Sequence, residues 1–347
     1  MLMTSTPVET LTQIWERILR RSPIGSEENF FDLGGNERLA DLLFAQIAEA
    51  YGRQLPSATI CNAPTISALT ALLDSSISSK FSPLVQLKTG SKGPPVFIVH
   101  GLEGAACFSE LANLIETPHP IYGFQAQGID GRAEPLSRIE DMASLYIEAL
   151  NQIQPSGPYL LIGYSFGGLV ALEMAQRLSA HGQRVALLTL LDAYPHARHL
   201  SRYQRLRLFA QRAKAQIDQM RQLPLRQAVA YFIAKLRPRV NTTVTAEQGV
   251  NGRNTQCQSI TDARLRVKEM ARLALENYRP RFYHGKMHLL SAADKAYFHP
   301  KNPVSVWKHL VEELEVDTVP GDHLEMVKTQ IEGLAPTLTR LIEEAMP

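Results

Sequence analysis

Residues 159–168 read Tyr-Leu-Leu-Ile-Gly-Tyr-Ser-Phe-Gly-Gly. An apolar run of strand length leads into a glycine and a serine, and good helix formers with helical periodicity follow from Leu169. The pattern predicts a strand, a tight turn and a helix, with Ser165 held exposed on the turn as a nucleophile. A side chain at Gly163 or Gly167 would collide where the strand and the helix pass close to the turn. An ordinary glycine-rich turn between a strand and a helix is the alternative.

Composition bounds the class of protein. The chain has 347 residues, of which 45% are hydrophobic and 20% are charged, as in soluble globular proteins. No apolar run approaches the roughly 20 residues needed to span a membrane, and the first nine residues lack the apolar core of a signal peptide. The three cysteines are scattered, without metal-binding spacing. We therefore expect a cytoplasmic protein with neither a membrane span nor a metal site.

Apolar strands and helices alternate on both sides of the serine turn. Strands are predicted at 96–99, 121–125, 159–162, 184–191, 289–294 and 314–319, and helices at 105–116, 139–153 and 169–181. This alternation indicates a mainly parallel sheet with helices on both faces. Together with the serine turn, it resembles the α/β-hydrolase fold.

A serine hydroxyl needs a base, and the base needs an orienting acid. In hydrolases of this fold the order along the chain is Ser, then Asp or Glu, then His. Asp192 ends the strand after the serine helix, and His323 lies in a loop after the last strand, so Ser165, Asp192 and His323 are the candidate triad. Asp294, at the end of the next strand, is the alternative acid. Asp322 is interpreted as a loop residue that holds a turn.

Developing negative charge on a substrate carbonyl requires two backbone N–H donors. We expect one from Phe166, directly after the nucleophile, and one from the loop after the first parallel strand, at Leu102. His100, at the start of that loop, is interpreted as structural, because the geometry requires backbone donors there.

The N-terminal segment shows a second pattern. Residues 30–35 read Phe-Phe-Asp-Leu-Gly-Gly and lie between predicted helices, in a segment that indicates a bundle of about four helices. From about Val8 to Leu73 the segment resembles the peptidyl or acyl carrier domains of nonribosomal peptide and polyketide synthases. In that family this run is followed by one residue and then by a serine that carries phosphopantetheine. Here the position is Glu37, and Arg38 replaces an apolar residue usual at the next position.

A carboxylate has no hydroxyl with which to attack coenzyme A, so we expect the carrier-like domain to hold no cofactor. A natural, degenerate carrier is the favoured explanation, because Glu37 and Arg38 both depart from the pattern. A deliberate Ser→Glu substitution that blocks loading is the other. In both cases the fold should survive, since a carboxylate is favourable at a helix start.

Residues from about Pro94 to the end are similar to the type I thioesterase domains that terminate these assembly lines. The matching pieces are 163–168, Leu191-Asp192 and 321–323, and the match supports Asp192 as the acid. We therefore predict a carrier-like domain over 1–77, a linker over 78–93 and a thioesterase domain over 94–347. Residues from about 196 to 280 interrupt the sheet pattern and are interpreted as a helical lid insertion. Within it, helices are predicted at 203–220, 225–236 and 260–278, and residues 241–259 are expected to be polar and turn-rich.

Charge is uneven along the chain. Residues 198–239 carry eleven basic side chains and one acidic one, whereas residues 1–77 carry nine acidic and five basic ones. The basic part of the lid is expected either to dock an acidic carrier or to be a solvated face. The sequence does not decide between this chain's own first domain and a separate carrier. No motif for nucleic-acid binding accompanies the basic charge.

The resemblance implies transfer of an acyl, peptidyl or polyketide chain from a phosphopantetheine thioester on a carrier to Ser165, followed by hydrolysis or cyclisation. If Glu37 is native, the substrate must arrive from another carrier, in trans. Three alternatives remain: an acyltransferase that uses an amine or alcohol acceptor, a proofreading thioesterase that strips misprimed carriers, and a non-catalytic scaffold with an inert hydrolase fold. The attached carrier-like domain argues against proofreading.

Overall fold

The computed structural model of the chain describes residues 6–31, 33–53, 55, 57–61, 63–74, 81–102, 104, 108–129, 131, 133–221, 255–295, 299–300 and 302–346. Its first elements are α1 (Pro7–Leu19), α2 (Glu37–Tyr51), a 3-10 helix (Ser57–Cys61) and α3 (Ile66–Asp74). They enclose a core of their own, in which Trp15 and Phe30 meet edge to face. Three α-helices and one 3-10 helix thus form the region where about four helices were predicted.

Side-chain caps fix where the first two helices begin. Thr6 accepts a hydrogen bond from the N–H of Glu9, and the Glu9 carboxylate accepts one from the N–H of Thr6. The Asn36 side chain accepts a hydrogen bond from the N–H of Leu39. Residue 37 is therefore the first residue of α2.

Seven strands form one sheet. They are β1 (Leu84–Lys88), β2 (Val96–Val99), β3 (Ile121–Phe124), β4 (Tyr159–Tyr164), β5 (Val185–Leu191), β6 (Tyr283–Asp294) and β7 (Val311–Asp322). Their order is β1-β3-β2-β4-β5-β6-β7, and β1 alone runs antiparallel to its neighbour. The carboxyl ends of the parallel strands β4, β5, β6 and β7 therefore meet at one edge of the sheet.

Helices cover the sheet on both faces. They are α4 (Ser109–Leu114), α5 (Ile139–Ile153), α6 (Phe166–Ala180), α7 (Arg202–Arg221), α8 (Thr255–Asn277), α9 (Pro303–Trp307), α10 (Glu325–Lys328) and α11 (Ile331–Ala345). Phe97 and Val99 enter one hydrophobic core, and Val96 and Ile98 enter the core on the opposite face. A strand buried on both sides reads as a continuous apolar run, which explains why the strands were visible in the sequence.

Two expectations about local structure were wrong. The stretch 78–93 was predicted to be a linker, yet β1 lies inside it and pairs with β3 at the sheet edge. Residues 241–259 were expected to be turn-rich, yet the last five of them belong to α8. The helix predicted from Leu225 to Leu236 lies outside the described residues, as does the start of the one predicted at 105–116. None of the described helices combines the length and the apolar character needed to cross a bilayer.

Candidate active site

The serine turn has the predicted form of strand, turn and helix. Ser165 lies between β4 and α6 with φ 53° and ψ −119°, a strained backbone conformation for a residue with a side chain. A Cβ atom at Gly163 would lie 2.5 Å from the carbonyl oxygen of Gly167, and one at Gly167 would lie 2.1 Å from that of His100. Both contacts are with backbone, which cannot move away as a flexible side chain would. The predicted collision between strand and helix is therefore confirmed for Gly163, whereas a side chain at Gly167 would collide with the end of β2 and the loop that follows it.

Three predicted residues meet at the carboxyl edge of the sheet. The Ser165 Oγ lies 2.9 Å from His323 Nε2, and His323 Nδ1 lies 2.9 Å from Asp192 Oδ2. With Nδ1 protonated and donating to the carboxylate, Nε2 is left as the acceptor for the serine hydroxyl. The three side chains lie within hydrogen-bond reach of one another in the order that a nucleophile, a base and an orienting acid would require.

The backbone around these residues holds them in place. Asp192 follows β5 directly, has φ 44°, and donates its N–H to the carbonyl of Leu290 on β6 over 2.8 Å. The hydroxyl of Tyr164, the residue before the serine, donates to the backbone carbonyl of His323 over 2.7 Å. The Tyr164 ring also stacks on the His323 ring, with centroids 5.1 Å apart. One strand end thus positions both the serine and the histidine.

The alternative acids lie elsewhere. Asp294 is exposed at the end of β6, whereas Asp192 is completely buried. The Asp322 carboxylate accepts hydrogen bonds from the N–H groups of Leu324 and Glu325, which is the turn-holding arrangement expected for it. Neither Asp294 nor Asp322 takes the place of Asp192 beside His323.

Asp192 has more partners than the sequence indicated. His299 Nδ1 lies 2.9 Å from Asp192 Oδ2, the oxygen that also meets His323. On the other oxygen, Oδ1, the Tyr194 hydroxyl and the Ala292 N–H donate over 3.2 and 3.3 Å, and Lys295 Nζ lies 3.4 Å away. Burial raises the pKa of Asp192, but the hydrogen bonds from His299 and His323 and the charge of Lys295 outweigh it and hold the pKa well below the usual range. The carboxylate is therefore ionised at neutral pH.

Sequence reasoning missed His299, Lys295 and Ser291, which surround this carboxylate. Lys295 also contacts the Ser291 hydroxyl, and the His299 and His323 rings meet edge to face with centroids 4.6 Å apart. Burial lowers the pKa values of both Lys295 and His299. Lys295 directly follows β6, the strand that neighbours β5, and Asp192 directly follows β5. Its position in the sequence could therefore have indicated that it lies near Asp192.

The Asp192, His299 and His323 donor atoms lie within 4.8 Å of one another, close enough to be considered as metal ligands. Each histidine nitrogen lies 2.9 Å from the same carboxylate oxygen. The geometry fits two N–H donors on one carboxylate.

The loop after β2 packs against the serine turn. A Cβ atom at Gly101 would lie 3.6 Å from the Ser165 Cβ, and Leu102 lines the same cleft as Ser165. His100 is buried, with Nδ1 2.7 Å from the Gly101 carbonyl oxygen and Nε2 3.0 Å from the Tyr146 hydroxyl. Burial lowers the pKa of His100 to about 4, so it is neutral at pH 7. These contacts agree with a structural His100, while the oxyanion roles of Leu102 and Phe166 stay predictions.

A cleft of about 420 Å³ opens above Ser165 and His323. The lid insertion contributes part of its wall, through Leu208 of α7 and through Lys268 and Leu275 of α8. A mainly apolar wall that includes Ser165 and His323 suits an acyl chain whose reacting carbonyl lies at the serine.

Family models match the chain in the predicted order. The model described as the phosphopantetheine attachment site matches residues 9–73, and the model described as the thioesterase domain matches residues 94–342. The residue types in the first match do not fit the group in its name if Glu37 holds the predicted attachment position, because a carboxylate cannot form the phosphoester.

Similar curated proteins are much longer than this chain. A dimodular nonribosomal peptide synthase of Bacillus subtilis (strain 168) is 40% identical over 190 residues, which cover 54% of this chain and 8% of that protein. An indigoidine synthase of Dickeya dadantii (strain 3937) is 37% identical over 180 residues, which cover 51% of this chain and 12% of that protein.

Solved structures share the fold. A four-domain nonribosomal peptide synthetase, holo-AB3403 bound to AMP and glycine, gives a TM-score of 0.56 at 22% identity over 99% of this chain and 26% of that one. The type II thioesterase BorB of the borrelidin cluster gives 0.52 at 18% identity over 78% of this chain and 100% of that one. The predicted α/β-hydrolase fold, preceded by a carrier-like helical segment, is confirmed.

Proposed function

Because this chain belongs to the thioesterase domain family, we propose that it is a serine hydrolase that releases an acyl, peptidyl or polyketide chain from a phosphopantetheine thioester on a carrier. The observation that carries the proposal is the position of His323, 2.9 Å from both the Ser165 hydroxyl and the Asp192 carboxylate. The name of one curated relative, a dimodular nonribosomal peptide synthase, supports a carrier-bound substrate.

In the first half-reaction the Ser165 Oγ attacks the thioester carbonyl carbon while its proton passes to His323 Nε2. The carbonyl oxygen becomes an oxyanion that the backbone N–H groups of Leu102 and Phe166 stabilise. When the intermediate collapses, the C–S bond breaks and His323 returns the proton to the departing sulfur. The products are the carrier thiol and an ester on Ser165.

In the second half-reaction His323 takes a proton from the incoming nucleophile, which attacks the ester carbonyl. Water yields the free acid, and a hydroxyl or amine within the bound chain yields a ring. His323 then protonates the departing Ser165 oxygen, which regenerates the enzyme. Asp192 stabilises the imidazolium in both halves, because its ionised carboxylate remains hydrogen-bonded to Nδ1.

Substrate delivery in trans follows from Glu37. The carrier-like domain has no hydroxyl at the attachment position, so the thioester must be brought by another carrier. We assign the carrier-like domain a docking role instead of a loading role.

Product analysis tests the proposal. A panel of acyl thioesters of increasing chain length is mixed with the full chain, and both free thiol and acyl product are measured over time. We expect thiol release that falls to the uncatalysed rate in Ser165→Ala and in His323→Ala. Release only in the presence of an added amine or alcohol would instead establish an acyltransferase, and no release from any thioester, free or carrier-bound, would favour the inert scaffold.

A further inference from the structure

An ion pair connects the carrier-like domain to helix α8 of the predicted lid. Both terminal guanidinium nitrogens of Arg264 on α8 contact the Asp41 carboxylate on α2, and one of them also donates to the Ser57 hydroxyl over 3.1 Å. The Asp41 and Arg264 side chains are 20% and 24% exposed, so the pair is largely shielded from water. A bidentate contact between an arginine and a carboxylate fixes the orientation of the two side chains as well as the distance between them.

This contact lies beside the candidate active site. Lys268 is one helical turn beyond Arg264 on α8, its charge acts on Asp41, and it lines the cleft that contains Ser165 and His323. Residue 37 is the first residue of α2 and precedes Asp41 by one helical turn. The attachment position predicted for a carrier therefore lies one turn away from the residue that α8 engages.

The basic residues at the contact favour an acidic carrier helix as the occupant of this surface. The carrier-like domain has four more acidic than basic residues. Helix α8 carries Arg264, Arg266, Lys268 and Arg272 against Asp262, Glu269 and Glu276, and Arg264 and Lys268 are the two that act on Asp41. The contact between Arg264 and Asp41 is made by α8. Arg264 lies outside residues 198–239, the basic stretch that the sequence indicated as a candidate docking surface.

We propose that the α8 surface around Arg264 and Lys268 is a docking surface for the second helix of a carrier domain, and that this chain's own carrier-like domain occupies it in cis. Since that domain cannot bring a thioester, it restrains the access of carriers that do. The inference rests on the proposed function, because it takes a carrier-bound thioester as the substrate. A carrier with a carboxylate at the position of Asp41 competes for Arg264.

A binding experiment tests this proposal without relying on the chemistry. The probe is a separate carrier domain that has a carboxylate at the position of Asp41, carries octanoyl-phosphopantetheine and bears a fluorophore. Its dissociation constant is measured by fluorescence anisotropy against the full chain in a Ser165→Ala background. Asp41→Arg is expected to release the cis contact and to tighten probe binding about tenfold, because an intramolecular competitor is removed.

Two variants make the result specific. Glu49→Arg introduces the same charge change at an exposed position of the same helix and is expected to leave probe binding unchanged. Adding Arg264→Ala to Asp41→Arg is expected to return binding to the weak level, because the docking residue is lost. Binding to Asp41→Arg that is no tighter than to Glu49→Arg, or tight binding that survives the loss of Arg264, would overturn the proposal.

The two proposals fail in different ways. If the variants bind the probe as expected but Ser165 of the unmodified chain is never acylated, the proposed function alone is refuted. If Ser165 is acylated but the variants do not show the expected differences in probe binding, the cis docking alone is refuted.

Discussion

At the scale of single residues, Asp192 is the most heavily constrained group of the candidate site. Its Oδ2 atom meets two histidines, and its Oδ1 atom meets a tyrosine, a backbone N–H and Lys295. To orient His323, Asp192 would need only the hydrogen bond with His323 Nδ1. The other contacts hold the carboxylate itself in place. We infer that His299 is a positioning residue, because its Nδ1 lies at hydrogen-bond distance from Asp192 Oδ2, the same oxygen that His323 Nδ1 contacts.

Replacement of His299 should therefore lower turnover through Asp192. We expect His299→Leu to reduce kcat about tenfold, the equivalent of one lost hydrogen bond to a charged group. His299→Asn should retain most of kcat, because its amide can donate from near the position of Nδ1. Thiol-release kinetics provide the measurement, with the exposed His284 changed to Leu as the control. Equal losses in the Leu and Asn variants would contradict a positioning role.

Buried His100 should make stability depend on pH. Burial holds its pKa at about 4 in the folded state, below the ordinary value of 6.5. The unfolded chain therefore binds more protons, and the contribution of His100 to stability is lost as pH falls from about 6.5 towards 4. Between pH 7 and pH 5 this amounts to about 2 kcal/mol.

Urea unfolding at pH 7 and pH 5 measures this effect. His100→Gln should reduce the loss of unfolding free energy between the two pH values by about 2 kcal/mol. The other buried histidines are present in both proteins, so the difference isolates His100. An identical loss in the variant and the unmodified chain would show that His100 is not buried as a neutral side chain.

At the scale of elements, Glu173 connects the serine helix to the base of the lid. Its carboxylate, on α6, accepts hydrogen bonds from Arg177 at 2.7 Å, Tyr278 at 3.0 Å and Arg281 at 3.2 Å. Tyr278 directly follows α8, and Arg281 lies just before β6. A single buried carboxylate thus fixes the point where the lid rejoins the sheet.

Removal of this carboxylate should be costly. Glu173→Ala leaves the buried Tyr278 hydroxyl and two partly exposed arginines without their shared acceptor, and we expect it to lower the free energy of unfolding by about 2–3 kcal/mol. Tyr278→Phe removes one hydrogen bond from the same cluster and should cost about 1 kcal/mol. Urea denaturation of both variants checks the ranking. A loss in Glu173→Ala no larger than that in Tyr278→Phe would contradict the role of Glu173 as the shared anchor.

An element or site residue could be predicted where neighbouring residues in the sequence determine its structure. The serine turn was visible because strand, glycines and helix are contiguous, and Asp192 and His323 were visible because each follows a strand. His299 was not, because it lies in a loop without periodicity. Strand β1 was missed because five residues flanked by glycine-rich and serine-rich stretches look like part of a linker. Asp41 looked like any surface residue of an amphipathic helix, since its partner is more than two hundred positions away.

At the scale of the whole molecule, the chain joins a carrier-like domain, for which we expect no phosphopantetheine attachment, to an α/β-hydrolase fold that holds the candidate catalytic groups. Residue 37 is the first residue of α2, and Asp41 of the same helix forms an ion pair with Arg264 of α8. The domain therefore contacts α8, while residue 37 offers no hydroxyl for loading.

The loading defect can be measured directly. Incubation with coenzyme A and a broad-specificity phosphopantetheinyl transferase should add no mass to the unmodified chain. Glu37→Ser, with Arg38→Leu added to restore the usual neighbour, should gain one phosphopantetheine group. A gain in the unmodified chain would mean that another hydroxyl accepts the group and that delivery in cis is open.

The most direct test of the central claim is the intact mass of the full chain after brief mixing with acyl thioesters, presented both as small molecules and on carriers. The account predicts a gain of one acyl group that is absent in Ser165→Ala and that maps to the peptide containing Ser165. No adduct and no turnover with any thioester, or an equal adduct in Ser165→Ala, would contradict an acyl-Ser165 intermediate.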